Sequence, residues 1–250
     1  MEYRRLLKYE HDIFAEFNNT TIISRQDRDL IPHASNSAIA VIPNGVDLSF
    51  FHPPAAEDGR EPKKEFEILF NGNMSYPPNI ESAVFLVERI MPFVWKKYPD
   101  ARVLISGTNP SFRVRELASD KVRVSGWVND VRVNFAKSRI LVAPMQSSIG
   151  LQNKLMEAMA MKLPCVTSTL ANNALAAKDG AEVLVADTPE QYATTIFHLL
   201  EDPAFAAGIA EKGYAFVKEN YDWSRAGEML NKVILNGHAK EELSDSRIIV

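Results

Sequence analysis

From residue 66 onward, short apolar runs rich in β-branched residues alternate with longer stretches in which apolar positions recur at helical spacing. Phe66–Phe70, Arg102–Ser106, Val122–Ser125, Arg139–Ala143, Cys165–Ser168 and Val183–Ala186 predict strands. Between the first two runs, Ile80, Ala83, Val84, Val87 and Met91 fall at i, i+3, i+4 spacing, and Pro77-Pro78-Asn79 opens the stretch. That pattern predicts a helix with one buried stripe, started by prolines that need no amide partner there. Strands joined by crossover helices pair in parallel, and these strands are apolar on both faces, so helices must cover the sheet on both sides.

Before this block, Met1–Phe17 has a helical pattern, Thr20–Ser24 and Ala38–Ile42 resemble strands, and His52–Glu65 is a polar, proline-bearing loop. After it, Pro189–Glu201, Pro203–Asn220 and Asp222–Leu235 predict three consecutive helices, while 236–250 offers almost no apolar face and predicts a mobile tail. The chain thus divides into a linker helix over 1–19, a domain over 20–235 and the tail. The expected fold is α/β, a Rossmann-like parallel sheet with helices on both faces.

Composition changes this picture little. The 250 residues are 46% hydrophobic with a net charge of −4, so neither nucleic acid nor an anionic membrane is attracted in bulk. An anionic ligand would need a local cation or a helix N-terminus. One cysteine permits no internal disulfide and no Cys-rich zinc cluster, and Cys165 sits in an apolar β-like run that predicts a buried thiol rather than a nucleophile. No apolar run is long enough for a membrane span and Met1–Arg5 leads into no signal-peptide core, which predicts a cytoplasmic chain. Arg4, Arg5 and Lys8 beside Leu6 and Leu7 make a short basic amphipathic turn, suited to a linker helix or to a peripheral seat on the inner face of the membrane.

In an open parallel sheet, ligands bind beyond the carboxyl ends of the strands. Those ends read Asn71-Gly72-Asn73, Ser106-Gly107-Thr108, Ser125-Gly126-Trp127 and Ala143-Pro144-Met145. Three carry glycine, which either makes the turn or lets a ligand approach the backbone. The most informative stretch is Gly150-Leu151-Gln152-Asn153-Lys154-Leu155-Met156-Glu157, a glycine turn entering a helix. Amides at the helix start, the dipole and Lys154 one turn in form an anion site suited to phosphate. Lys154 and Glu157 stand three apart, so an intrahelical ion pair is equally open on spacing, worth only about 0.2–0.5 kcal/mol. Asp27-Arg28-Asp29 has the look of a metal-binding Asp-x-Asp but lies on a polar helix, and reads as a solvated face.

Val41-Ile42-Pro43-Asn44-Gly45-Val46-Asp47 with Phe50-Phe51-His52-Pro53, and Leu155-Met156-Glu157-Ala158-Met159-Ala160 leading to Pro164, resemble the C-terminal half of a family-4 glycosyltransferase of the GT-B fold. Met74-Ser75-Tyr76-Pro77-Pro78-Asn79 and Gly150-Leu151-Gln152-Asn153-Lys154 are similar to the bacterial sugar transferases of exopolysaccharide and exosortase loci. The resemblance implies a retaining transfer from a nucleoside diphosphate-sugar in polysaccharide or glycoconjugate synthesis, with no metal required. It places Glu157 on the ribose hydroxyls, the amides of Gly150, Leu151 and Gln152 on the diphosphate together with Gly72 and Asn73, and Gly126, Trp127 and Val128 against the nucleobase.

Three departures qualify it. The first Glu of the family's Glu-x7-Glu motif falls on Ile149, and no cation follows Gly72, so Lys154 is expected to stabilise the leaving diphosphate as the catalytic cation. The family's enzymes have two Rossmann-like domains, and this chain has the pattern of the second alone. The expected partners are therefore a nucleotide-sugar donor, a missing or separate N-terminal acceptor domain and a glycan or lipid-linked acceptor, with no nucleic acid. A non-catalytic nucleotide-sugar module remains the alternative. Gly-x-Gly-x-x-Gly and Gly-x4-Gly-Lys-Ser/Thr are both absent, which argues against dinucleotide oxidoreductases and P-loop enzymes.

Overall fold

The computed structural model describes residues 2–13, 16–31, 33–54, 63–147 and 150–236. The expected tail therefore lies outside the described residues apart from Asn236, as do Ile149 and most of the His52–Glu65 loop. The chain begins with α1 (Glu2–Ile13), β1 (Thr21–Ile22), α2 (Arg25–Asp29), a 3₁₀ turn (Asn36–Ala38) and β2 (Ala40–Val41). Here the sequence pattern overestimates regularity. The helix ends at Ile13 rather than Phe17, and each strand keeps two residues.

The α/β alternation then follows as expected. It runs β3 (Phe66–Asn71), α3 (Pro77–Phe85), a π turn (Leu86–Ile90), α4 (Met91–Lys97), β4 (Val103–Ser106), α5 (Phe112–Arg115), β5 (Val122–Gly126), α6 (Arg132–Ala136) and β6 (Ser138–Ala143). It continues with α7 (Asn153–Ala160), β7 (Cys165–Thr167), α8 (Thr169–Leu175), β8 (Leu184–Val185), α9 (Pro189–Glu201), α10 (Pro203–Asn220) and α11 (Trp223–Asn236). The expected stripe on the first sheet-covering helix faces the core: Ala83, Val84 and Met91 are buried and Ile80 and Val87 partly so, joined by buried Asn79, Ser82, Leu86, Ile90 and Val94. Pro92 has no amide and crowds the preceding turn, and a π turn directly precedes it.

Six strands form one parallel sheet in the order β5-β4-β3-β6-β7-β8. Chain order therefore reverses between β3 and β6, the crevice at which nucleotide-binding sheets hold their ligands. Ile68, Leu69 and Phe70 of β3, Val103 and Ile105 of β4 and Leu141 and Val142 of β6 are fully buried, as helices on both faces require. Thr188 and Gln191 form a capping box on α9, followed by Pro189, so that helix starts where its sequence signals place it.

β1 and β2 pair in parallel as a separate two-stranded sheet, Thr21 opposite Ala40 and Ile22 opposite Val41. The segment after β2 is fastened to the C-terminal helices: the Val46 amide donates to the Tyr221 carbonyl at 2.7 Å. Gly45 lies so close to Trp223 that a Cβ on it would sit 2.7 Å from that residue's backbone. This is the packing behind the Asn44-Gly45-Val46 motif.

Candidate functional site

The loops after β3, β4 and β5 are joined backbone to backbone. Gly72 donates to the Ser106 carbonyl at 3.0 Å, Met74 to Thr108 at 2.8 Å and Gly107 to Gly126 at 3.3 Å. Gly107 has φ +144°, and a Cβ there would lie 1.6 Å from the Gly72 carbonyl oxygen, so only glycine lets the two loops meet. A Cβ on Gly126, at φ +66°, would meet nothing within 4 Å. Beside that open backbone Trp127 is 67% exposed and Val128 half-buried.

Across the crevice, α7 starts behind Gly150, which has φ +87°. Gln152 is its N-cap without a side-chain cap, and the amides of Gly150 and Leu151 have no acceptor among the described residues. Lys154 leans back over this start, as helical side chains do. It is 7% exposed. Its Nζ donates to Asn79 Oδ1 at 2.7 Å and to Gln152 Oε1 at 3.1 Å, lies 3.7 Å from Met145 Sδ and 5.2 Å from the centre of the Phe70 ring. Burial pulls its pKa down to about 8, with Glu157 acting weakly the other way.

Glu157, half-buried on the next turn of α7, has its carboxyl pushed above the ordinary range by desolvation, opposed by Lys154. The two do not form an ion pair; the ammonium is held by neutral groups from other positions. The ion-pair alternative left open by spacing is thus not what the structure adopts. A buried cation with neutral partners is costly unless something negative joins it. Glu157 is the carboxylate whose charge reaches Lys154, without a direct contact.

Sequence reasoning missed Asn79. Its Nδ2 donates to the Asn73 carbonyl at 3.0 Å while its Oδ1 accepts from Lys154, and a Cβ on Gly72 would approach its Nδ2 to 2.8 Å. One amide therefore links Gly72, Asn73 and Lys154. Pro77-Pro78-Asn79 announces a helix start, and a 7% exposed asparagine on such a start is a signal only once the facing element is known. The Asn73 side chain itself is exposed and accepts from Ser75. Trp127 and Val128 share the loop edge but touch neither Lys154 nor Glu157 through any hydrogen bond.

Asp27 corrects the expectation of a solvated face. It is half-buried, accepts from Ser24 Oγ at 2.7 Å, and its Oδ2 would lie 3.2 Å from a Cβ on Gly150. Asp29 is exposed and pairs with Arg28 at 3.3 Å. Among the described residues, no three His, Cys, Asp or Glu side chains are placed to hold a metal ion. Cys165 is buried, its thiol facing the Leu163 carbonyl at 3.3 Å, and burial pushes its pKa far up.

A sequence model described as glycosyl transferases group 1 matches residues 65–202, more than half of the chain and the whole of the six-stranded sheet. The chain belongs to that family. Among curated relatives, this group 1 glycosyltransferase domain is 28% identical over 207 residues to a phosphatidyl-myo-inositol mannosyltransferase of Mycolicibacterium smegmatis, covering 80% of the chain and 52% of the relative. It is 25% identical over 217 residues to the lipopolysaccharide core biosynthesis mannosyltransferase LpcC of Rhizobium leguminosarum, with 81% and 59% covered. The chain thus spans little more than half the length of these relatives. Anabaena Alr3699/HepE, solved with UDP and glucose, superposes with a TM-score of 0.75 at 14% identity over 91% of the chain and 66% of that protein, which shows the fold alone. That fold is GT-B, with the Rossmann-like sheet expected from the sequence. No helix among the described residues is long and apolar enough to cross a membrane.

Proposed function

We propose that this domain is the donor-binding half of a retaining family-4 glycosyltransferase of the exopolysaccharide type, taking a hexosyl group from a nucleoside diphosphate-sugar to a glycan or lipid-linked acceptor. The observation that carries this reading is Lys154: a buried ammonium at the β3/β6 crevice whose partners are all neutral. A diphosphate would bring negative charge to this ammonium, and the start of α7 adds the amides of Gly150 and Leu151, which have no acceptor among the described residues. Lys154 and the Gly150–Gln152 backbone would hold the leaving diphosphate, Glu157 would accept from the ribose hydroxyls, and the open backbone at Gly126–Val128 would receive the base. None of these roles calls for a metal.

The acceptor side of the cleft comes, in this reading, from an N-terminal domain outside the six-stranded sheet. The short β1–β2 sheet and the apolar side chains exposed nearby, Tyr3, Leu6, Tyr9, Ile23 and Leu30, are surface on which such a domain or a membrane-facing partner would pack. The 250 residues alone then bind donor without transferring it. Titration calorimetry with UDP, GDP and ADP tests the reading: one of the three binds, and Glu157→Gln weakens it by about 1–3 kcal/mol. Absence of binding by all three, or sugar transfer by the purified chain, overturns it.

A further inference from the structure

Pro77-Pro78-Asn79 is a helix start, yet its asparagine reaches both walls of the crevice through hydrogen bonds, to the carbonyl of Asn73 on one side and to Lys154 on the other. An exposed helix-start asparagine would satisfy its own backbone. Asn79 does not: it is buried, spends Oδ1 on a lysine 75 positions away, and spends Nδ2 on the carbonyl of Asn73. Its orientation is fixed by these two bonds, because a flipped amide would turn its NH₂ toward an ammonium that cannot accept. The amide lies against Gly72, where a Cβ would approach its Nδ2 to 2.8 Å.

We propose that Asn79 is a positioning residue of the site, holding the Lys154 ammonium at the crevice and tying it to the backbone of the loop after β3, so that cation and loop present one preformed surface to a diphosphate. The proposal rests on the donor-site reading and goes beyond it in one respect. The loop after Gly72 carries no cation of its own, and Asn79 borrows one for it from α7. A neutral amide serves this purpose better than a carboxylate. Aspartate at this position would neutralise the ammonium internally and compete with the phosphate oxygens; asparagine orients the charge without cancelling it.

The groups facing Lys154 are Asn79 from α3, Phe70 from β3, Met145 after β6, and Gln152 and Glu157 from its own segment; Glu157 is the carboxylate whose charge acts on it. Two variants separate positioning from packing. With the chain's lysine side chains isotopically labelled, NMR titration reads Lys154 directly, its signal assigned by its loss in Lys154→Met. Asn79→Asp is expected to raise the Lys154 midpoint by at least about one pH unit, and Asn79→Leu, branched at the same atom but bulkier and without an acceptor, to lower it. The affinity of whichever of UDP, GDP and ADP binds the wild type is expected to fall roughly tenfold in both variants, a charge-assisted hydrogen bond being lost in one case and the cation neutralised in the other. Midpoints that stay at the wild-type value in both variants overturn the proposal, whatever the melting temperatures do. If none of the three nucleotides binds the wild type while the midpoints still move, the coupling of Asn79 to Lys154 survives and the donor-site reading fails.

Discussion

Two lysines on opposite sides of the domain show how differently this chain treats charge. Lys97, at the end of α4, is exposed, forms an ion pair with Glu201 of α9 and lies over the Tyr98 and Phe197 rings, while Tyr98 also donates to Glu201 at 2.8 Å. Every charge there has its opposite within the chain, and its pKa rises accordingly. Lys154 is buried, has only neutral partners, and its pKa falls to about 8. A domain held together by its core gains little from either charge. The exposed pair joins two helices at low cost. The buried ammonium makes sense as one half of an interaction completed by a ligand.

The largest effect is expected from disturbing the loop edge that faces Lys154 across the crevice. Gly107→Ala places a Cβ on the Gly72 carbonyl in a backbone region unfavourable for L-residues, and is expected to cost about 3 kcal/mol or more of stability, read as a lowered denaturation midpoint. A variant as stable as the wild type would show that the loops can part freely. Next, Lys154→Met should weaken nucleoside diphosphate binding by about 2–3 kcal/mol, roughly 30- to 150-fold, with uncharged nucleoside far less affected. Its stability at pH 7 should stay within about 2 kcal/mol of wild type, because relief of the buried charge offsets the acceptor left unpaired on Asn79. Equal losses for nucleoside and diphosphate would make Lys154 a shaping residue.

The same contrast has a pH signature. Lys154 titrates at about 8 in the folded chain and near 10.5 when unfolded, so between these values the unfolded state binds more protons and stability rises with pH. The gain is roughly 3 kcal/mol across the window, and below pH 8 this group adds no slope. Denaturant curves from pH 7 to 10.5 should show the rise in wild type and lose that component in Lys154→Met. Diphosphate affinity should fall through the same window. The smallest expected effect belongs to the other lysine. Lys97→Met should leave nucleotide binding unchanged and shift the melting temperature too little to resolve, and any change in affinity would break the separation of the two regions.

The α/β alternation was legible because the strands are short apolar runs bounded by turn residues, and the central ones, β3, β4 and β6, are buried almost throughout, while the edge strand β5 keeps Arg123 exposed. The position of Lys154 at a helix start was legible from Gly150 and the spacing to Glu157. What periodicity did not carry is the π turn that interrupts the helix between Phe85 and Met91, next to Pro92. Nor could it carry Asn79, whose role comes from a residue 75 positions away and exists only once β3 and β6 lie side by side. Asp27 was misread for the same reason: its own segment is polar, and only the fold packs α2 against α8 and sets the Asp27 carboxylate beside Gly150. Local patterns report the element a residue occupies, not what the fold sets against it.

Cys165 makes the chain a convenient carrier for reporter groups. Its single thiol lies at 1% exposure inside β7 and is held in the unreactive protonated form. Alkylating dyes therefore find no natural target in the folded protein, and one cysteine introduced on the exposed rim, at Ser147, would be the sole point of attachment. A fluorophore there would look across the crevice, so that filling of the site and closure by a partner could be followed as changes in emission without first removing the native cysteine.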